Sequence, residues 1–278
     1  MRRARLAYDG RDAEGEFLMK KALFFDIDGT LLGADHKVPK SASLAISAAR
    51  KRGCLVFINS GRCMGMLNGF DKKIELDGIL AGCGTEIVID GEIRENFIIP
   101  EDLRQRLIKA DRKYNVDIIL EGTDGNHYRE GKSRFPVVNE IRAMTEAIGA
   151  VSHQPFESKY EISKFCLQAD DASDMSGLTS EFGSDFDIID RGEGFFECVP
   201  KGFSKGSALI KTLEYTGIGP DDAYCFGDSS NDLSMFQSCR HAIAMKDHSH
   251  ELDPYTEYVT DSPENDGIMK ALKKSGII

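Results

Sequence analysis

Lys21-Ala22-Leu23-Phe24-Phe25-Asp26-Ile27-Asp28-Gly29-Thr30-Leu31 is a short apolar run that ends in two acids and a turn. A run of this length bounded by Gly29-Thr30 reads as a buried strand. Asp26 and Asp28 leave its end two residues apart, a spacing that puts both side chains on one side of an extended chain. In open α/β sheets, ligands bind beyond the carboxyl ends of the strands. Two like charges so close repel unless a cation lies between them or one is protonated. The pair therefore points to a hard-metal site, an acid/base pair or both, against the plainer reading of a solvated strand end.

Downstream the apolar runs repeat. Pro39 opens and Gly53 closes a helix, the usual asymmetry of Pro at the start and Gly past the end. Residues 54–59 read as a second buried strand, 62–70 as a short helix and 78–81 as a third strand. This alternation implies a parallel sheet with right-handed crossovers. From Glu86 the character changes. Asp90-Gly91 between two short strands is a hairpin signal. Then come a helix at 101–114, a strand at 116–121, a polar loop at 122–131, helices near 139–148 and 172–182, and strands near 162–168 and 186–190. Past 195–200 the parallel pattern returns: helix 204–215, strand 223–226, helix 232–239, strand 241–245 and helix 266–274. The expected fold is a Rossmann-like α/β core, 19–84 and 195–278, interrupted by an inserted α+β module at 85–194. Residues 1–18 lack any clear period and are expected to be a disordered extension, with Met19 the natural start.

The chain has 278 residues, and its net charge is 35 − 46 = −11. A nucleic-acid binder carries a basic stripe to replace counterions; here the one basic cluster is Arg2, Arg3 and Arg5. An acidic chain that handles a phosphorylated ligand has to supply positive charge locally. The seven cysteines are scattered with no CxxC pair, which argues against a disulfide framework or zinc ribbon and fits a reducing cytoplasm. No stretch reaches the length of a membrane span, and no secretory signal is present. No nucleic-acid or membrane partner is expected, and the sequence leaves monomer and dimer open.

Three further signals sit at strand ends or helix starts. Gly227-Asp228-Ser229-Ser230-Asn231-Asp232 leaves a buried strand and enters a helix. Magnesium takes one or two carboxylates plus water and substrate phosphate, which Asp26 and Asp228 on neighbouring strand ends would supply; Asp232 also fits a plain helix N-terminus. Asn59-Ser60-Gly61-Arg62 follows the second strand, where a hydroxyl suits a phosphate or a simple N-cap. Ser204-Lys205-Gly206 puts a lysine in the first turn of a helix, against the macrodipole.

Together the four segments resemble the haloacid dehalogenase (HAD) superfamily of aspartyl-phosphate phosphohydrolases. Asp26-Ile27-Asp28-Gly29-Thr30 matches its first motif, Ser60 its second, Lys205 its third and Gly227 to Asp232 its fourth. The insert between the second and third motifs resembles a C2B cap, and Ser60-Gly61-Arg62 resembles the Cof-like branch (type IIB). The resemblance implies an Mg²⁺-dependent phosphatase of small phosphorylated metabolites, sugar phosphates or similar. It implies Asp26 as nucleophile, Asp28 as general acid and base, and a metal held by Asp26, Asp28 through its backbone carbonyl, Asp228 and Asp232. Ser60, Gly61, Lys205 and Asn231 would hold the phosphoryl group, and Arg62 is a candidate substrate contact. The cap would exclude water and choose the leaving group. Phosphotransfer to a sugar, as in a phosphomutase, and a non-catalytic metabolite sensor are the alternatives.

Two segments depart from the family pattern, Ala81-Gly82-Cys83-Gly84 and Ala244-Met245-Lys246-Asp247-His248, and both bear on substrate fit. Gly125 to Ser133 lacks the spacing of a P-loop. His248 and His250 read as a solvated loop rather than a zinc site, and the Phe24-Phe25 and Phe195-Phe196 pairs as packing. Glu86, Lys159, Lys164 and Glu197 lie near predicted hinges or strands, where surface solvation explains each as well as a contact with the leaving group does.

Overall fold

The computed structural model describes residues 20–67, 69–70, 74–147, 149–153 and 160–278. The expected extension at 1–18, and Lys159, lie outside them. The described chain begins with β1 (Ala22–Phe25), α1 (Lys40–Lys51), β2 (Leu55–Asn59), β3 (Gly78–Ala81), β4 (Glu86–Ile89) and β5 (Glu92–Asn96). It continues with α2 (Glu101–Lys113), β6 (Asp117–Gly122), β7 (Gly125–Tyr128), α3 (Pro136–Ala147), β8 (Val151–His153), β9 (Ile162–Gln168), α4 (Met175–Phe182), β10 (Phe186–Asp190) and β11 (Phe195–Pro200). Last come α5 (Lys205–Thr216), β12 (Ala223–Gly227), α6 (Leu233–Ser238), β13 (His241–Ala244), β14 (Tyr258–Val259) and α7 (Gly267–Lys274). Among the described residues, no helix is long and apolar enough to cross a membrane.

Two compact units emerge. The first holds described residues within 20–57, 74–77 and 213–278. Its strands run parallel in the order β14-β13-β12-β1, and the Leu55 N–H of β2 donates to the Lys21 carbonyl on the far side of β1. Every residue of β1 and β12 is buried, which is why both read as unbroken apolar runs rather than alternating ones. Phe25 pairs with Phe226 in register, and their rings stack at 4.5 Å between centroids. Such a stack adds about 0.5–1.5 kcal/mol beyond burial and keeps the two strand ends side by side. Helix α1 buries Ala42, Ala45, Ile46 and Ala49, one stripe at helical spacing, and packs against α7, which buries Ile268, Ala271 and Leu272. Basic Arg50 and Lys51 close α1, where they complement the helix dipole.

The second unit holds described residues within 58–70 and 78–212. Strands β3, β4 and β5 form an antiparallel meander, with the predicted hairpin turning at Asp90-Gly91, both at positive φ. A six-stranded sheet follows, in the order β10-β11-β9-β6-β7-β8. It is antiparallel except for the β7–β8 pair. On one face, Ile118, Leu120, Phe165, Leu167 and Cys198 pack against Leu107 of α2 and Leu178 and Phe182 of α4. On the other, Ile119, Tyr128 and Cys166 pack against Phe135, just before α3, and Val138 of α3.

Four local expectations change. The polar loop expected at 122–131 contains β7. Its buried Asn126 and His127 bond to Thr145 and Asp124, so a polar tetrapeptide sits in a sheet with its side chains partnered. Residues 195–200, which carried no strand assignment, form β11 between β9 and β10. Within the helix expected at 62–70, the described residues form a 3₁₀ turn at Met64–Leu67. Gly65 in that turn lies against the backbone of Gly125, with a hypothetical Cβ only 2.1 Å from its nitrogen. Finally β1 stops at Phe25: Asp26 follows it buried and without regular structure, while Asp28 is exposed and forms an isolated bridge with Leu32, so the two acids do not share one face of a strand.

Candidate active site

In the first unit, β1 and β12 end together. The Asp26 N–H donates to the Phe226 carbonyl at 2.9 Å, which fixes the first acid beside the end of β12. Gly227 then passes β13, where the Met245 N–H donates to its carbonyl, and Asp228 follows. The turn after Asp228 is closed by Asp232, which is fully buried. Its Oδ2 accepts from the Asp228 N–H at 3.0 Å and the Ser229 N–H at 3.1 Å, and Ser229 completes a capping box with it. The helix-start reading of Asp232 is therefore correct as local structure. Asn231 Oδ1 accepts from the Ser229 hydroxyl at 2.8 Å.

Asp26, Asp228 and Asp232 converge. One carboxylate oxygen from each lies within 4.8 Å of the others, with Asp26 and Asp232 buried and Asp228 half-buried. Three like charges at this spacing, largely withdrawn from water, repel strongly unless a cation or protons neutralise them. An all-oxygen, all-carboxylate set suits a hard divalent cation such as Mg²⁺ better than zinc or copper. The surroundings fit one too. The Thr30 hydroxyl donates to Asp228 Oδ1 at 2.9 Å, orienting that carboxylate. Gly29, at φ +78°, leaves room for Asp228, since a Cβ there would come within 2.4 Å of Oδ2. Gly29→Ala is expected to cost about 1–2 kcal/mol for the left-handed backbone and to displace Asp228. Thermal melts with and without Mg²⁺ check this: Tm falls and the gain in Tm on adding Mg²⁺ shrinks, whereas wild-type values on both counts contradict it.

Asp28 is exposed and lies outside the three-acid cluster. It lines an open cavity of about 310 Å³ with Gly29, His36, Met245, Asp247 and Glu264. Asp247, one of the departures from the family pattern, thus shares a cavity with Asp28. His248 turns away: its ring bonds to the Met245 carbonyl and to Asp253, which raises its pKa although burial opposes the charge.

In the second unit, Ser60, Gly61, Arg62 and Lys205 come together around the end of β2. Ser60 is buried, its N–H donates to the Leu80 carbonyl, and its Oγ accepts from the Arg62 N–H at 3.2 Å. It caps no helix, so the plain N-cap reading is replaced by a tight turn. Asn59 is buried beside it, and its Nδ2 donates to the Lys205 carbonyl at 2.8 Å, tying the strand end to the first turn of α5. Lys205 is 1% exposed. The turn Gly82–Gly84 closes the cluster: Gly82 N–H donates to the Arg62 carbonyl, and Cys83 N–H to the Ser60 carbonyl. Cys83 takes a left-handed conformation, φ +58°, in place of a glycine-like turn residue.

The surface reading of Glu86, Lys164 and Glu197 is overturned, since all three are buried. Lys164 Nζ meets Glu121 Oε2 at 2.7 Å and Glu197 Oε1 at 3.0 Å. Burial works to raise the Glu197 carboxyl, but Lys164 and Arg191 outweigh it and bring its pKa down to about 2. A charged residue inside a strand looks solvated until the partner strands are known; only the apolar neighbours of Lys164 hinted otherwise. All seven cysteines are free, six of them buried, as small packed hydrophobes should be.

Residues 23–272 match the model of the haloacid dehalogenase-like hydrolase family. The protein YkrA of Bacillus subtilis (strain 168) is 27% identical over 270 residues, 93% of this chain and 98% of its own. The 5-amino-6-(5-phospho-D-ribitylamino)uracil phosphatase YwtE of the same organism is 26% identical, over 89% of this chain and 95% of its own. Among solved structures, the HAD subclass IIB sugar phosphatase BT4131 superposes with a TM-score of 0.77 at 25% identity, covering 93% of this chain and all of that one. The acids at the ends of β1 and β12, the parallel sheet behind them and these matches lead to one assignment: the chain belongs to the haloacid dehalogenase-like hydrolases.

Proposed function

We propose that the chain is a cytoplasmic Mg²⁺-dependent phosphomonoester hydrolase that works through an aspartyl-phosphate on small phosphorylated metabolites, sugar phosphates or similar. The observation that carries this reading is the convergence of Asp26, Asp228 and Asp232 at paired strand ends. In the proposed first half-reaction a carboxylate oxygen of Asp26 attacks phosphorus. The bond from phosphorus to the leaving oxygen breaks, and Asp28 gives that oxygen its proton. In the second, Asp28 takes a proton from water, the water oxygen attacks the same phosphorus, and the bond to Asp26 breaks. Inorganic phosphate leaves and both acids return to their starting states. A divalent ion held by Asp26, Asp228, Asp232 and the Asp28 carbonyl would offset the repulsion between an anionic nucleophile and an anionic phosphate.

Ser60, the Gly61 amide, Lys205 and Asn231 are assigned to the phosphoryl oxygens, and Arg62 to a substrate contact; these roles rest on the family pattern. Residues 85–194 are proposed as the cap that selects the leaving group, between core segments 19–84 and 195–278. The relatives named for a ribityl phosphate and for sugar phosphates set the first substrates to try.

The test is phosphate release from a panel of sugar, ribityl and nucleoside phosphomonoesters, with Mg²⁺ or with excess EDTA. Release that requires Mg²⁺ is the expected result. Transfer of the phosphoryl group to a second sugar without free phosphate would favour the phosphomutase alternative, and a folded protein inert toward every ester would sink the hydrolase reading.

A further inference from the structure

Lys164 is 1% exposed, yet it carries an ammonium into the sheet of the second unit. An ammonium has three hydrogens to donate, and three oxygens lie within reach: Glu121 Oε2 at 2.7 Å, Glu197 Oε1 at 3.0 Å and the Gly61 carbonyl at 3.1 Å. Two of these belong to the sheet, on β6 and β11. The third belongs to the turn that presents Ser60 and Arg62. Charge is balanced locally, because Arg191 Nε also meets Glu197, at 3.1 Å. Burial opposes the ammonium, but Cys166, Glu121 and Glu197 more than offset it, so it stays charged.

The same side chain borders the neighbouring turn. A Cβ on Gly82 would lie 3.6 Å from Lys164 Cδ, and Cys83 Sγ reaches Glu197 Oε1 at 3.5 Å. Gly82 and Cys83 in turn bond to Arg62 and Ser60 through their N–H groups. The turn at 60–62 is thus held twice from one centre, directly through the Gly61 carbonyl and indirectly through 82–83. Stability alone does not account for this. A buried ion pair adds little over well-packed apolar residues of the same volume, and an apolar residue at 164 would leave the Gly61 carbonyl unfixed.

We propose that Lys164 is a positioning residue: held by Glu121 and Glu197, it fixes the Ser60–Gly61–Arg62 turn so that the Ser60 hydroxyl and Gly61 amide face the phosphoryl group. This rests on the phosphatase reading above. It makes Lys164 act through Ser60, so the two residues are energetically coupled.

The experiment is a double-mutant cycle on the full chain with Ser60→Ala, Lys164→Met and the pair together. The readouts are kcat/KM for phosphate release and competitive inhibition by inorganic phosphate, both per folded protein. Lys164→Met/Glu121→Gln, which keeps the charge balance, stands in if Lys164→Met does not fold. Lys164→Met is expected to lower kcat/KM by about 100-fold, the low end of the scale of losing an aligned donor, and to weaken phosphate inhibition by a similar factor. Ser60→Ala, similarly costly alone, is expected to add less than about 3-fold once Lys164 is gone, because coupled residues are not additive. Fully multiplicative losses, or a Lys164→Met enzyme with wild-type kcat/KM, overturn the positioning role while leaving the phosphatase reading intact. A wild-type chain that releases no phosphate overturns both.

Discussion

Asp26→Asn is expected to remove phosphate release, with a loss on the order of 10⁴- to 10⁶-fold in kcat, the scale seen when a covalent nucleophile is deleted. An amide has the shape of the carboxylate but neither its charge nor a lone pair basic enough to attack phosphorus. The substitution leaves the local fold intact, because Asp26 is fixed to Phe226 through its backbone N–H. It also removes one of three mutually repelling charges within 4.8 Å. In the absence of metal, Tm should therefore equal or exceed that of wild type, since relief of like-charge repulsion outweighs a conservative change of a buried group. Loss of activity with an unchanged or higher metal-free Tm separates a missing nucleophile from a damaged fold. Activity within 10-fold of wild type would remove Asp26 from the mechanism. Asp26→Ala serves as a companion, because it cannot revert to a carboxylate by deamidation.

The strands that build this site were legible because each is buried on both faces. Ala22–Phe25 and Ala223–Gly227 appear as unbroken apolar runs, and an acid just past such a run stands out against it. The hairpin at Asp90-Gly91 was legible for a local reason: both residues adopt positive φ, which few residue types accept. What stayed hidden depends on partners far away in the chain. Gly125–Tyr128 carries no apolar alternation, and its Asn126 becomes acceptable in a sheet only once Thr145, on α3, is in place. Lys164 looked like a surface residue because its charge is neutralised from 43 residues upstream by Glu121 and from β11 downstream by Glu197. The hydroxyl of Thr30 was quoted within its motif yet assigned no task, since its acceptor, Asp228, is 198 residues away. Periodicity and turn chemistry report on a residue's own segment; the bonds that join the separate segments of this site, such as Thr30 to Asp228 and Asn59 to Lys205, are long-range.

Asp228→Asn separates the metal from the rest of the machinery. Asp228 is half-buried, and the Thr30 hydroxyl orients it at 2.9 Å. An asparagine keeps an oxygen for that hydroxyl but gives up the negative charge. Changes to residues that merely support a metal ligand already cost about 10- to 100-fold in affinity. Losing a direct carboxylate is therefore expected to raise the Mg²⁺ concentration for half-maximal activity by about 100-fold or more. The gain in Tm on adding Mg²⁺ should disappear at concentrations that stabilise wild type, since that gain follows RT ln(1 + [L]/Kd). Metal-free Tm should not fall, because a repelling charge has gone. Asp232→Ala supplies the contrast. The Asp232 Oδ2 accepts from the Asp228 and Ser229 N–H groups and closes the capping box, so its removal costs about 1 kcal/mol even without metal. If Asp228→Asn lowers the metal-free Tm as much as Asp232→Ala does, and leaves the Mg²⁺ dependence where it was, Asp228 is a structural turn residue and the three carboxylates do not form the metal site.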